Sequence, residues 1–151
     1  MILLFKSRKN TSSVTNMKKM FREVDGAGNS KLLISNWDVS NVEDMSQMFS
    51  GTSYQFDQDL SNWDVSSVIT MSQMFDGAIS FKNGEVENGL SNWDVSGVTD
   101  MFKMFYGNFY LDDTQDLSSW NVLNVTNCLE FSQSPTFWGN KIPNFTNCSI
   151  D

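Results

Sequence analysis

The sequence contains no histidine, and its 151 residues include only two cysteines and two prolines. Without imidazole, Ser-His-Asp and Cys-His catalysis, His-ligated zinc or haem, and His-based pH switches are all excluded. Basic residues are also scarce: the chain has 10 basic and 18 acidic residues, which gives a net charge of −8. Because proteins bind nucleic acids through Lys and Arg contacts to phosphates, this composition argues against a nucleic-acid partner.

Long apolar runs are missing as well. No segment approaches the roughly 20 apolar residues that a membrane span requires. The first five residues are apolar, but Lys6, Arg8 and Lys9 follow them, whereas a secretory signal carries its charges before a longer apolar run. We therefore expect no membrane span, no export signal and no lipobox cysteine here, and interpret the opening as the stub of an earlier repeat.

A tandem repeat accounts for most of the sequence. Four tryptophans recur at steps of 26, 30 and 27 residues, each within a segment like LSNWDVS. These Trp segments are residues 34–40, 60–66, 90–96 and 117–123. A second segment, V-x-x-M-x-x-M-F, follows in the same register at residues 42–49, 68–75 and 98–105, with an additional copy at 14–21 and decayed copies at 125–131 and 145–148.

The two segments predict different secondary structures. The alternation Asn-Trp-Asp-Val favours a short strand that is buried on one side. Val68, Met71, Met74 and Phe75 have the i, i+3, i+6, i+7 spacing of one helical stripe, and a glycine follows the Phe, where a helix is expected to end. The predicted fold is therefore a leucine-rich-repeat-like solenoid, with short parallel β-strands on one side and short helical segments on the other.

The predicted organisation is a single domain over residues 1–151. It comprises an N-terminal partial repeat at 1–31, repeats at about 32–57, 58–87, 88–114 and 115–133, and a degenerate C-terminal cap at 134–151. The 30-residue step reflects an insertion near residues 82–89. Repeat units of this size cannot bury their apolar faces alone, so neighbouring units must stack.

This motif resembles that of the BspA-like leucine-rich-repeat surface proteins, over roughly residues 14–131. The resemblance implies a curved repeat structure on or outside a cell, used for adhesion or partner binding, and it implies no catalytic activity. It therefore implies an extracellular or cell-surface location.

A column of polar residues is the candidate partner-binding face. These residues alternate with the buried Trp and Val positions, so they are expected to face solvent. We call this set the Asn/Asp column, and its members are Asn36, Asp38, Asn62, Asp64, Asn92, Asp94 and Asn121. A row of carboxylates can bind a cation or a basic or sugar-bearing partner; alternatively, such residues serve only solubility and turn formation.

Other features have structural interpretations. The repeated methionines are expected to fill the core rather than bind a soft metal. Asp57 and Asp59 begin a loop like that of an EF-hand, but the Gly and Glu of that motif are absent. Cys128 and Cys148 are expected to lie close together inside the last repeats, either as a disulfide or as two free thiols. No catalytic residue, metal ligand or cofactor is assigned.

Three functions remain as hypotheses. The first is a non-enzymatic module that binds a protein or glycan partner through the polar strand face and loops. The second is a spacer, or a fragment of a longer array, without a ligand and with possible self-association through its ends. The third is a hydrolase that uses stacked aspartates on glycans. Identical acids repeated at one slot indicate a scaffold rather than a catalytic pair, which argues against the third hypothesis, and we take the first as the main prediction.

Overall fold

The computed structural model describes residues 10–24, 34–52, 56–111, 114–133 and 138–151. The bounded helical elements of this part are two short 3₁₀ helices, Gly89–Asn92 and Gly139–Lys141. Strand-like pairing within these ranges is limited to isolated parallel bridges, such as Asp44 with Thr70 and Thr70 with Asp100. No helix in the described ranges is long and apolar enough to cross a membrane.

The predicted leucine-rich-repeat-like solenoid of strands and helical segments is wrong. The Trp segments form no strand, and the V-x-x-M-x-x-M-F segments are successive turns rather than helices wherever the structure describes them. The isolated bridges lie in the segments for which a helix was predicted. We call these segments, with the three residues that follow each Phe, the turn segments.

Within a turn segment, alternate amides close turns onto the carbonyl three residues earlier. We count the N-terminal partial repeat as the first, so the second repeat is about residues 32–57, the third 58–87 and the fourth 88–114. In the second repeat the amides of Met48, Ser50 and Thr52 donate to the carbonyls three positions back, at 3.1–3.3 Å. The third residue of a turn has positive φ at Gln47 (57°) and at Gly51 (66°), as a type II turn requires. Turns of this kind place apolar side chains every third residue, and this explains why the sequence resembles a helix.

The remaining amides join one repeat to the next. Four amides of the second repeat donate to carbonyls of the third, at 2.7–3.1 Å: Met45 to Thr70, Gln47 to Ser72, Phe49 to Met74, and Gly51 to Asp76. The same register recurs between the third and fourth repeats, where Met71 donates to Asp100 and Phe75 to Met104. The repeats therefore stack through their turn segments.

The core is a stack of identical positions. The rings of Phe21, Phe49, Phe75 and Phe105 follow one another with centroids 5.4–5.5 Å apart and planes within 14° of parallel. Val, Met and Phe of the central turn segments are all at most 1% exposed. The methionines therefore fill the core, as the sequence predicted.

Tryptophan also links neighbouring repeats through its indole N–H. Trp63 Nε1 donates to the carbonyl of Ile34 at 3.0 Å, Trp93 to that of Leu60 at 3.1 Å, and Trp120 to that of Leu90 at 2.9 Å. Each of these carbonyls also accepts the backbone amide three residues further along the chain, so the indole N–H adds a second hydrogen bond that joins two repeats. Leu has no side-chain donor and cannot make this link.

The C-terminal segment closes the stack. Cys128 and Cys148 form a disulfide, with Cα atoms 5.8 Å apart. The amide of Glu130 donates to the carbonyl of Ile150 at 3.0 Å, and that of Leu117 donates to Lys141 at 2.7 Å. The last repeat thus receives from residues 138–151 the backbone partners that another repeat would supply.

Candidate partner-binding surfaces

The Asn/Asp column lies on the surface. All seven of its residues are exposed, whereas Trp63, Val65, Trp93 and Val95 between them are at most 4% exposed. The alternation of buried and exposed residues thus exists without a strand. The use of the column for binding stays a prediction.

The aspartates of the column are held by the serine two residues further along the chain. The backbone N–H and the hydroxyl of Ser40 both donate to Asp38 Oδ1, at 3.1 and 2.6 Å. Ser66 bonds Asp64 and Ser96 bonds Asp94 in the same way. These bonds fix each carboxylate on the backbone and occupy its Oδ1, and no described hydrogen bond uses Oδ2.

The serine hydrogen bonds hold the pKa values of Asp38 and Asp94 below the usual range, because they stabilise the ionised carboxylates. Desolvation opposes this shift only weakly at these exposed sites. Since the folded pKa values are lowered, the stabilisation is present above about pH 3.9, the ordinary Asp value, and is lost as the pH falls through the lowered values. Near neutral pH, both carboxylates are therefore charged.

The insert around residues 82–89 is anchored at its start by hydrogen bonds to the chain near residues 57–60, while residues 84–88 are exposed. The amides of Lys82 and Gly84 donate to Asp57 Oδ1 at 2.8 and 2.7 Å, and the side chain of Asn83 is fully buried and accepts from the Leu60 amide. Asp57 is therefore used as a loop anchor. Within the described residues there is no group of His, Cys, Asp or Glu side chains that could hold a metal ion.

A polar groove of about 300 Å³ crosses the turn segments of successive repeats. Its lining includes Lys18, Gln47, Thr70, Ser72, Gln73 and Asp100. A side-chain hydrogen-bond chain crosses it: Gln47 Nε2 donates to Gln73 Oε1, and Gln73 Nε2 donates to Asp76 Oδ2, both at 2.8 Å. The sequence pattern did not indicate this groove, because the segments that line it were predicted to be helical.

The fourth repeat departs from the others beside this groove. Phe102 occupies the slot of Ser46 and Ser72, and Tyr106 occupies that of Ser50 and Asp76. Lys103 lies between the two aromatic rings, 5.4 Å from the centroid of Phe102 and 4.7 Å from that of Tyr106, and its Nζ is 2.7 Å from Glu130 Oε2. Comparing the variable slots of the motif would have indicated this feature from sequence alone.

A second cavity, of about 480 Å³, lies in the C-terminal segment. Residues Ile142, Phe145, Cys148 and Ile150 contribute to its lining. It is formed by the same segment that closes the stack, so its walls depend on the disulfide.

Comparison with known proteins gives one family match. The family model described as "Mycoplasma protein of unknown function, DUF285" matches residues 6–89 and 84–148, which together span most of the chain. No curated protein and no solved structure matches the chain.

Proposed function

The chain belongs to the DUF285 family of Mycoplasma proteins of unknown function, and we propose that it is a non-enzymatic surface module that binds a protein or glycan partner through the Asn/Asp column. The resemblance of its motif to BspA-like surface repeats supports a role in adhesion outside the cell. The fixed carboxylate row carries this proposal. Each aspartate is exposed and anchored to a serine, so little side-chain entropy is lost when a partner binds.

The charge of the column indicates the kind of partner. Asp38, Asp64 and Asp94 recur at one slot of successive repeats, so their carboxylates point from equivalent positions. A partner with basic groups at a similar spacing would gain affinity and a faster association rate from this row. The exposed Asn residues beside them supply both donors and acceptors of hydrogen bonds.

A spacer without a ligand is the second candidate. The same serine hydrogen bonds favour it, because they give every aspartate of the row a turn-forming role that needs no partner. The two candidates differ in whether the negative charge matters.

The triple variant Asp38→Asn/Asp64→Asn/Asp94→Asn separates them. Asn keeps the turn, since Asn10 Oδ1 accepts from Ser12 and Asn121 Oδ1 accepts from the Leu123 amide in this same chain. We expect binding to purified extracellular-matrix proteins or glycans, measured by surface plasmon resonance, to weaken at least about tenfold in the variant and to fall with added salt in the parent. Equal binding by both proteins would exclude the column, and the absence of any bound partner would favour the spacer.

A further inference from the structure

The polar groove and the aromatic residues beside it share no residue with the Asn/Asp column: turn segments line the groove, whereas the column belongs to the Trp segments. The groove follows the direction of stacking, so equivalent side chains recur along it from repeat to repeat. Gln47 and Gln73 lie one repeat apart and are hydrogen-bonded to each other. In the middle of the groove, two successive repeats present the same pair of side chains, Ser46 with Gln47 and Ser72 with Gln73, whereas Lys18 and Lys19 fill these slots at one end.

The middle of the groove has hydroxyl groups available. In the second repeat, the Ser46 hydroxyl donates to Asp44 Oδ1 at 2.6 Å. In the third repeat, Thr70 replaces that aspartate; its Oγ1 accepts from the backbone amide of Ser72, and no described hydrogen bond uses the Ser72 hydroxyl. The replacement leaves hydroxyl groups that can both donate and accept.

The charges of the groove are mixed. Lys18 and Lys19 line one end and Asp100 lies toward the other, while Lys103 is paired with Glu130. Such a lining does not select a polyanion. Its donors and acceptors match vicinal hydroxyl groups. Phe102 and Tyr106, with Lys103 over one side of their rings, are partly exposed and supply apolar surface against which a sugar ring can pack.

We propose that the groove, together with Phe102 and Tyr106, binds a neutral linear oligosaccharide along the stack. Chains paired through backbone hydrogen bonds lie about 4.8 Å apart, which is close to the length of one pyranose unit. Successive sugars would therefore lie in register with successive repeats. This inference shares with the proposed function only the premise that the chain is a binding module. It adds a second binding surface, the polar groove, and a class of ligand for it.

The repeat itself supplies variants that are expected to fold. Phe102→Ser/Tyr106→Asp gives the fourth repeat the residues that the third carries at the same slots, namely Ser72 and Asp76. Thr70→Asp gives the third repeat the residue that the second and fourth carry, and a carboxylate there would engage the Ser72 hydroxyl as Asp44 engages Ser46. The Asp38→Asn/Asp64→Asn/Asp94→Asn variant is the matched control on the other surface.

The test is isothermal titration of the full chain with cellohexaose, chitohexaose, maltohexaose and, as a polyanion, hexagalacturonate. We expect at least one neutral hexasaccharide to bind with a millimolar or lower Kd. Its affinity should fall about tenfold in Phe102→Ser/Tyr106→Asp, and also fall in Thr70→Asp. It should be unchanged in the column variant.

Three results would overturn the inference: no binding of any neutral hexasaccharide, binding of hexagalacturonate alone, or unchanged affinity in folded Phe102→Ser/Tyr106→Asp. The proposed function would survive each of them if a partner is found whose binding depends on the aspartates of the column. Conversely, if the Asp38→Asn/Asp64→Asn/Asp94→Asn variant binds the sugar as tightly as the parent, sugar binding at the groove is supported. This holds even if no partner is found for the Asn/Asp column.

Discussion

At the residue scale, glycine occupies a slot of the repeat where the backbone adopts a positive φ. Gly51, Gly77 and Gly107 share one slot and have φ between 66° and 72°. A Cβ added at Gly107 would lie 3.4 Å from the Cα and N of Gly77 in the preceding repeat. Positive φ and close stacking therefore act together at this slot.

We expect Gly107→Ala to lower the free energy of unfolding by about 1–2 kcal/mol, because an L-residue pays this penalty in the left-handed region. The measurement is urea unfolding monitored by tryptophan fluorescence. Gly97→Ala is the matched control in the same repeat, since its added Cβ would make only ordinary contacts, at 3.5 Å, and other repeats carry Ser or Asn in that slot. Equal losses in the two variants would contradict the requirement for positive φ.

Residue-level prediction from sequence succeeded where burial alone decides the outcome. The buried Trp, Val, Met and Phe slots were read from periodicity, which reports which side chains avoid water. The indole hydrogen bonds to Ile34, Leu60 and Leu90 were not predictable in this way, because they depend on where a carbonyl of the neighbouring repeat points.

At the scale of elements, the turn segment explains why the predicted helices are absent. Met45, Met48 and Phe49 have helical spacing, but turns that close every second amide produce the same burial pattern. The difference lies in Gln47, a non-glycine residue with positive φ, for which side-chain periodicity carries no signal. The groove was missed for the same reason, since the segments that carry its glutamines were predicted to be helical.

The C-terminal segment is the element that the disulfide holds in place. The bridge closes a loop with a sequence separation of 20 residues, between a buried Cys128 and a partly buried Cys148. The sequence placed the two thiols together but left disulfide and free thiols as alternatives. In the folded chain the bridge keeps Ile150 next to Glu130.

Reduction of this disulfide is expected to lower the free energy of unfolding by about 3 kcal/mol, because it releases a closed loop of this length. Thermal and urea unfolding with and without dithiothreitol measure the change. The double variant Cys128→Ala/Cys148→Ala should have the stability of the reduced protein and be insensitive to the reagent. If reduction leaves the parent unchanged, the cap does not depend on the bridge.

At the scale of the whole molecule, the stack divides the chain into two kinds of position. Turn segments join the repeats through backbone bonds and fill the core with Met and Phe. Trp segments are connected to the preceding repeat by the indole, while their Asn and Asp residues remain on the surface. The two surfaces that we propose for binding, the Asn/Asp column and the polar groove, therefore both occupy slots that the core does not use.

The repeats are joined through backbone bonds of the turn segments rather than of the Trp segments, and amide hydrogen exchange of the full chain, followed by NMR, tests this most directly. Met71 and Phe75 donate to the next repeat, whereas no described hydrogen bond uses the amides of Asp64 or Val65. We expect Met71 and Phe75 to exchange more slowly than Asp64 and Val65 by on the order of a hundredfold or more. Equal protection of Asp64 and Val65 would mean that the Trp segments pair as strands, and would contradict the account.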